Sequence, residues 1–274
     1  MQNQPMQDTF IEKPSSAANE TLEDYTLRYA PYSFRRWSPK VVAITALGGI
    51  AYLADFSIGA SIGMTYGTTN AIFSILFAAL IIFLTGLPLA YYAARYNIDL
   101  DLITRGAGFG YFGSVLTSII FASFTFIFFA LEGSIMAQGL LLGLGIPLWM
   151  GYLISTIMVI PLVIYGMKAL STLQVWTTPI WLILMIGPVA YLIYQEPELV
   201  SQFAAYAGNG GFAAIDVAAI MLGAGICLSL IMQIGEQIDY LRFMPAKTKE
   251  NSKSWWIAVI SAGPGWVILG AIKQ

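Results

Sequence analysis

A carboxylate stands in the middle of a long apolar stretch in the first part of the chain. Asp55 lies at the centre of residues 41–65, and glycines flank it at Gly48, Gly49, Gly59 and Gly63. A charged side chain at the middle of a membrane helix costs about 2.5–3.5 kcal/mol on insertion scales, so we expect Asp55 to face a cavity. There it could carry a proton or cation, or accept a hydrogen bond from a solute N–H group. The alternative is that Asp55 caps free backbone amides at a break in the helix.

A second carboxylate, Glu132, lies in the apolar stretch of residues 113–142. Thr125 and Phe129 fall on the same helical face, seven and three residues before it. This face predicts contacts to a solute through a hydroxyl group, an aromatic ring and a carboxylate. The alternative is that Glu132 is a buried, protonated carboxyl group that bonds to a neighbouring helix.

Polar side chains also interrupt the apolar stretch of residues 212–238. Ser229 and Gln233 are four residues apart, on one face of an α-helix, just after Gly223 and Gly225. The Gln233 amide can both donate and accept hydrogen bonds, as the edge of a purine requires. The alternative is that these two side chains hydrogen-bond to another helix.

Three charged residues follow at the end of this stretch: Glu236, Asp239 and Arg242. They predict an intracellular charge network or an inner gate. A solvated protein surface is an equal alternative, because exposed ion pairs are common and contribute little.

The residue types of covalent catalysis and metal binding are scarce. The sequence contains no histidine and one cysteine, Cys227, inside an apolar stretch. Because no nucleophile is paired with a base, we predict no enzyme activity, no metal site and no cofactor. Gly108, Gly110 and Gly113 match a dinucleotide-binding pattern, but a membrane helix follows and no strand precedes them, so this site is excluded. We predict no nucleic-acid partner.

The elements that must position these residues are membrane helices. Of 274 residues, 58% are hydrophobic and 10% are charged, a composition typical of proteins embedded in a lipid bilayer. Since a span needs roughly 20 apolar residues, we place seven spans. They cover residues 41–65, 70–94, 113–142, 148–166, 173–194, 212–238 and 254–272.

Basic residues predict the orientation of the spans. They precede span one and follow spans two, four and six, at Arg28, Arg35, Arg36, Lys40, Arg95, Arg105, Lys168, Arg242, Lys247, Lys249 and Lys253. The opposite loops, 66–69, 143–147 and 195–211, contain no lysine or arginine. This positive-inside pattern predicts a multi-pass protein of the cytoplasmic (inner) membrane with a cytoplasmic N-terminus. Residues 1–40 are polar and lack the apolar core of a signal peptide, so we interpret them as a cytoplasmic tail.

Four local motifs together resemble the nucleobase–cation symporter-1 family, the purine, cytosine, allantoin and hydantoin permeases. Asp24–Pro31 with Arg35, Arg36 and Trp37 is similar to that family's entry to helix 1. Arg105–Gly110 is similar to its start of helix 3, and Tyr165–Ser171 to its junction between helices 4 and 5. Asp239–Phe243 is similar to its motif after helix 6, and the resemblance covers roughly residues 24–274.

The resemblance implies an all-α integral membrane protein with the leucine-transporter-type fold, two inverted repeats of five helices. Helices 1 and 6 are broken in that fold, so we expect unwound segments within residues 50–58 and 223–235. The resemblance implies a solute site that contains Asp55 and Phe56. Thr125 and Phe129 are the nearest counterparts of the Trp and Gln with which family members bind a planar nucleobase. The family resemblance also implies a site for the coupling cation, Na⁺ or H⁺, which we assign to Ala54, Asp55 and Ser57.

The resemblance further implies that this chain holds the first repeat and only the first two helices of the second. We therefore expect the transporter domain, residues 41–274, to be incomplete at its C-terminus. The favoured function is cation-coupled symport of a small polar, nucleobase-like solute by alternating access. The alternative is a transporter-like input domain that binds a solute and signals to a C-terminal module.

Overall fold

The computed structural model describes residues 30, 35 and 37–274, and all regular structure in that part is helical. This confirms the all-α prediction. Short 3₁₀ segments follow α1, α7 and α8, and a π-helical turn joins α3 to α4. The α-helices are α1 Pro39–Gly48, α2 Ala54–Tyr96, α3 Leu100–Thr104, α4 Gly110–Leu144, α5 Leu148–Gln195, α6 Glu198–Ala205, α7 Val217–Leu228, α8 Gln233–Asp239, α9 Ser252–Ala262 and α10 Gly265–Lys273. Nearly all of the predicted tail, with the family motif at 24–31, lies outside the described residues.

Four helical segments of the described chain are long and apolar enough to cross a membrane, and a bent helix pair makes a fifth. Large apolar side chains are exposed along α4 and α5, as expected for lipid-facing surfaces; Phe126 and Ile183 are examples. The five segments are Ala54–Tyr96, Leu100–Leu144, Ala169–Gln195, Val217–Phe243 and the pair Ser252–Ala262 with Gly265–Lys273. The inverted-repeat arrangement stays a prediction.

The seven predicted spans are distributed differently over these helices. Predicted spans four and five both lie on α5, which continues as one helix from Leu148 to Gln195. We predicted a loop here because a span needs roughly 20 apolar residues, but residues 167–170 read Met-Lys-Ala-Leu, all strong helix formers. A single lysine does not stop a helix that its neighbours favour.

The first predicted span is divided by a break in the backbone. Ser38 caps α1 by accepting a hydrogen bond from the Val41 N–H at 3.3 Å, and Pro39 occupies the first turn, where a missing N–H costs nothing. After Gly48 the chain tightens into a 3₁₀ turn, Gly49–Ala51, and Tyr52 leaves the helical region altogether. The helix restarts at Ala54. The break therefore lies within residues 50–58, where the sequence predicts it.

A sharp kink at Gly67 separates the two halves of α2, residues 54–66 and 68–96. The φ of Gly67 is 79°, a conformation that side chains disfavour, and an added Cβ would lie 2.8 Å from the carbonyl carbon of Ala207. The loop before α7 closes over this kink, since the Thr68 N–H donates to the Tyr206 carbonyl at 2.9 Å. The kink is the predicted turn between spans one and two.

The second half of α2 is joined to α7 by buried polar contacts. The Asn70 side chain is fully buried, donates to the Ala214 carbonyl at 3.1 Å and accepts from the Asp216 N–H at 2.9 Å. One turn further, the Ser74 hydroxyl donates to the Ile220 carbonyl at 3.0 Å. These bonds fix the start of α7 to α2, because each joins a side chain to a backbone group at a helix end.

The sixth predicted span tightens but does not unwind. A 3₁₀ segment, Ser229–Met232, separates α7 from α8, and its backbone stays right-handed. The prediction of an unwound segment within 223–235 is therefore wrong. Gly223 instead allows α7 to pack closely on α2, since a Cβ added at this position would lie 2.5 Å from the Ser74 hydroxyl oxygen.

The buried core lies between α1, the second half of α2, α8 and α9, whereas α4 packs mainly on α5, which also contacts α1. Members of the core include Val42, Ile82, Ile238, Trp255 and Val259. This arrangement separates a well-packed group of helices from a helix pair that leaves most of its apolar surface exposed.

We expect Asn70→Ala to lower the free energy of unfolding by about 2–4 kcal/mol, because it leaves buried backbone groups of the α7 start without partners. The measurement is thermal unfolding of the purified protein in detergent. Ser123→Ala is the matched control, since Ser123 is exposed and bonds only to the Ile119 carbonyl of its own helix. Equal destabilisation by both changes would contradict the role of Asn70.

Candidate functional site

The break between α1 and α2 leaves backbone groups without helical partners. The first residues of α2 have no carbonyl one turn earlier to bond to. Glu132 of α4 fills this gap: its Oε1 accepts a hydrogen bond from the Ala54 N–H at 2.7 Å. The structure therefore brings together two residues that the sequence predicts at the site, and Glu132 acts there as a helix cap.

Asp55 is paired with Lys273 of α10. Oδ2 of Asp55 lies 2.7 Å from the Lys273 ammonium, and the two side chains are only 4% and 6% exposed. The second carboxylate oxygen, Oδ1, is buried and accepts no hydrogen bond from the described residues. Asp55 is thus ion-paired with Lys273 through Oδ2, and its Oδ1 atom can still accept a hydrogen bond.

The Lys273 ammonium also binds the main chain of the break. It donates to the Ile50 carbonyl and to the Tyr52 carbonyl, each at 2.6 Å. Its three N–H donors are therefore all occupied. Because Lys273 comes after the last predicted span, the sequence analysis did not select it. The available signal was the general pairing rule, since a carboxylate inside a span needs a cationic or hydrogen-bonding partner.

Aromatic rings cover one side of the break. The Tyr52 and Phe128 rings have centroids 5.6 Å apart, and Phe128 packs on Phe124 at 4.4 Å. On the other side the Phe56 ring lies 5.5 Å from the Lys273 ammonium. Phe56 therefore lies beside the break, and its contact with a solute stays a prediction.

Of the predicted residues of α4, Thr125 and Phe129 do not face the break. Both are exposed, whereas Phe124 and Phe128 are buried in the cluster that contains Ala54 and Leu230. The inward face passes through Phe124, Phe128 and Glu132, which are spaced four residues apart. The prediction missed two of them because one position along a helix rotates a side chain by about 100°.

Ser229 and Gln233 are separated by the 3₁₀ turn. Ser229 is exposed and donates to the Ile226 carbonyl at 2.7 Å, while Gln233 is buried. Four residues span about 40° of rotation in an α-helix but about 120° in a 3₁₀ helix, so the predicted common face is lost. Oε1 of Gln233 accepts no hydrogen bond from the described residues.

Gln237 is a further buried amide that the sequence analysis missed. It packs over Gly49 at the end of α1, where an added Cβ would lie 2.7 Å from Nε2. Its Oε1 is also buried without a hydrogen bond from the described residues. The close approach depends on glycine at position 49, which provides the room for this amide; Gly48 does the same for the Gln174 side chain.

The remaining residues predicted for the cation site have different environments. Ala54 is buried, and its N–H is bonded to Glu132. Ser57 is exposed, and its carbonyl accepts a hydrogen bond from the Ser61 hydroxyl at 2.7 Å. Of the three, Asp55 alone presents a charged group to the break.

A polar cavity of about 230 Å³ lies between α3, α4 and α8. Its volume is below the usual range for drug-sized ligands, so it fits a small solute. The Thr125 hydroxyl donates to Glu236 across it at 2.7 Å and joins α4 to α8. The polar lining consists of Asp101, Ser118, Thr125, Glu236 and Asp239.

The predicted inner charge network divides into separate contacts. Arg242 is buried, and its guanidinium lies 3.8 Å from the Asp99 carboxylate. Asp239 accepts a hydrogen bond from the Leu100 N–H at 3.2 Å, whereas Glu236 bonds to Thr125. Each of these contacts joins span six to the start of α3 or to α4.

The chain was compared with known protein families, curated proteins and solved structures. The model of the permease family for cytosine and purines, uracil, thiamine and allantoin matches residues 29–272. No curated protein and no solved structure matches the chain. The matched range includes the motifs at 105–110, 165–171 and 239–243, and the family resemblance of the sequence is confirmed.

If Glu132 acts as a cap, Glu132→Gln should keep the free energy of unfolding within about 0.5 kcal/mol of the wild-type value, because the amide oxygen still accepts from Ala54. Glu132→Ala should lower it by about 1–2 kcal/mol, the usual loss for a removed helix cap. Thermal unfolding measures the loss of stability. Hydrogen exchange locates it, because exchange at residues 53–56 should be faster in the Ala variant than in the wild type. Equal losses in both variants would assign the effect to charge and not to capping.

Proposed function

Because the chain belongs to the permease family for cytosine and purines, uracil, thiamine and allantoin, we propose that it carries a nucleobase-like solute by cation-coupled symport. Membership supports a multi-pass membrane transporter and gives no support to the solute-sensing alternative. It also favours a transporter over an enzyme. The distribution of lysine and arginine supports a cytoplasmic N-terminus in the inner membrane.

The observation that carries this proposal is the arrangement of Asp55 at the break of the first span. A buried carboxylate, two main-chain carbonyls and an ammonium group meet there inside an apolar bundle. Groups of this kind are costly in a membrane and mark ion or substrate pathways. In secondary transporters the broken helices hold the coupling ion and the solute near the midplane.

Solute recognition would use the rings and amides next to the break. The Phe128 ring offers a face for stacking a planar heterocycle. Oδ1 of Asp55 and the Oε1 atoms of Gln233 and Gln237 are buried acceptors that lack donors among the described residues. Ring N–H groups of a nucleobase complement such acceptors, because an unpaired buried acceptor costs about 1–3 kcal/mol until a donor reaches it.

Alternating access would open and close the cavity between α3, α4 and α8. The Thr125–Glu236 hydrogen bond crosses this cavity and is exposed enough to exchange with water. On the inner side, Asn97 donates to the carbonyls of Arg242 and Met244 at 3.1 and 2.7 Å and ties α2 to the end of span six. Movement of α4 relative to α8 would break the first contact and keep the second, and the solute would leave toward the cytoplasm.

The test is uptake by vesicles that contain the purified protein, with protein-free vesicles as the blank. Labelled cytosine, adenine, uracil, thiamine and allantoin are the solutes, and saturable uptake of at least one is expected. Absence of saturable uptake and of binding for all of them would refute the proposed function.

We expect Phe128→Ala to weaken solute binding by about five- to 150-fold, since stacking on an aromatic ring contributes about 1–3 kcal/mol per base. Phe129→Ala is the matched control, because Phe129 is the next residue and is exposed. Binding affinity is measured by equilibrium titration in detergent. A larger loss for Phe129 than for Phe128 would assign the solute to the opposite face of α4.

Asp55→Asn should abolish gradient-driven uptake at matched membrane levels, since Asn keeps a hydrogen-bonding oxygen but carries neither charge nor proton. Asp216→Asn is the control, because Asp216 caps α7 by accepting from the Ala219 N–H, and Asn caps equally well. The measurement is uptake rate against pH. An unchanged rate with unchanged pH dependence in Asp55→Asn would reduce Asp55 to a structural cap.

A further inference from the structure

The ammonium group of Lys273 has the surroundings of a bound metal cation. Three oxygen atoms surround Nζ: the carbonyls of Ile50 and Tyr52 at 2.6 Å and Oδ2 of Asp55 at 2.7 Å. Main-chain carbonyls combined with a carboxylate are the ligands that hard cations take in proteins. The break in the first span thus forms a cation site, and a residue of the chain itself fills it.

We propose that Lys273 is a built-in cation that occupies the place of a free sodium ion at this break, so that the protein needs no sodium ion there. This inference rests on the proposed function. The fixed ammonium supplies the positive charge that the Asp55 carboxylate and the two main-chain carbonyls would otherwise take from a bound Na⁺.

The position of Lys273 follows from the bend between α9 and α10. These helices meet at 45° across Gly263 and Pro264, which turns the end of α10 toward the start of α2. The Lys273 side chain is buried there, and its ammonium contacts both carbonyls and the Asp55 carboxylate.

The space next to the pair does not hold a second cation with its water shell. The cavity beside Asp55 has a volume of about 10 Å³, which is at the lower limit for a single water molecule. A sodium ion at this place would also be repelled by the ammonium at short range. Removal of the lysine side chain would open the site and leave the carboxylate and both carbonyls without their cation.

The experiment compares sodium dependence in the wild type and in Lys273→Gln. Wild-type uptake should be equal within about twofold in sodium and in choline buffer of the same ionic strength and pH, and its melting temperature should not respond to sodium. In Lys273→Gln, sodium should raise the melting temperature by at least about 3 °C, because ligand binding to the folded state stabilises it. The melting temperature does not depend on transport, so it tests Lys273 even if no solute is carried.

Two further variants test whether the sodium response of Lys273→Gln comes from the vacated site and not from misfolding or from the loss of a positive charge. Asp55→Asn combined with Lys273→Gln removes both charges, should fold if Lys273→Gln alone does not, and should show no response to sodium. Lys247→Gln is the control for loss of a positive charge, since Lys247 lies over the Trp255 and Trp256 rings away from the break. Sodium-dependent uptake by the wild type, or a folded Lys273→Gln variant that ignores sodium, would overturn the proposal.

Discussion

A membrane helix that stops and restarts leaves carbonyl and amide groups that lipid cannot satisfy, and the structure around residues 49–54 is organised by this constraint. The carbonyls of Ile50 and Tyr52 at the break are bonded by Lys273 of α10, and the first amide of α2 is bonded by Glu132 of α4. Asp55 then neutralises the lysine. Three elements far apart in sequence are thereby held at one point by the needs of a few backbone atoms.

The same contacts suggest which parts of the protein move together. α2 is tied to α7 by Asn70 and Ser74, and α1, α8 and α9 share a continuous apolar core. α4 packs mainly on α5 and touches the break through Glu132 and Phe128. The two groups also meet where α5 packs on α1 and where Phe128 of α4 packs with Ala54 and Leu230, so their separation would expose apolar surface as well as break polar contacts.

Much of the site was predictable from the sequence because mid-membrane charge is costly. That argument selected Asp55 and Glu132, and the glycine-rich run located the break in the first span. Other features depend on tertiary geometry that periodicity does not contain. The choice between Phe128 and Phe129 is one step of helix rotation. The 3₁₀ turn at Ser229 changes the rotation between Ser229 and Gln233, and the contacts of Lys273 depend on the bend at Pro264. The continuity of α5 was missed because the usual length of a membrane span divided its 48 residues into two, whereas the helix-forming residues at the division continue the helix.

The Lys273 contacts also bear on the order in which the protein is assembled. Lys273 is separated from Ile50 and Tyr52 by 223 and 221 positions along the chain. At a synthesis rate of about 5–20 residues per second, the lysine leaves the ribosome roughly 10–45 s after the segment that it completes. During that interval the first span is in place with its carboxylate unneutralised. The contacts of the first break are therefore completed only when α10 arrives, and any insertion factor that shields the carboxylate must remain bound until then.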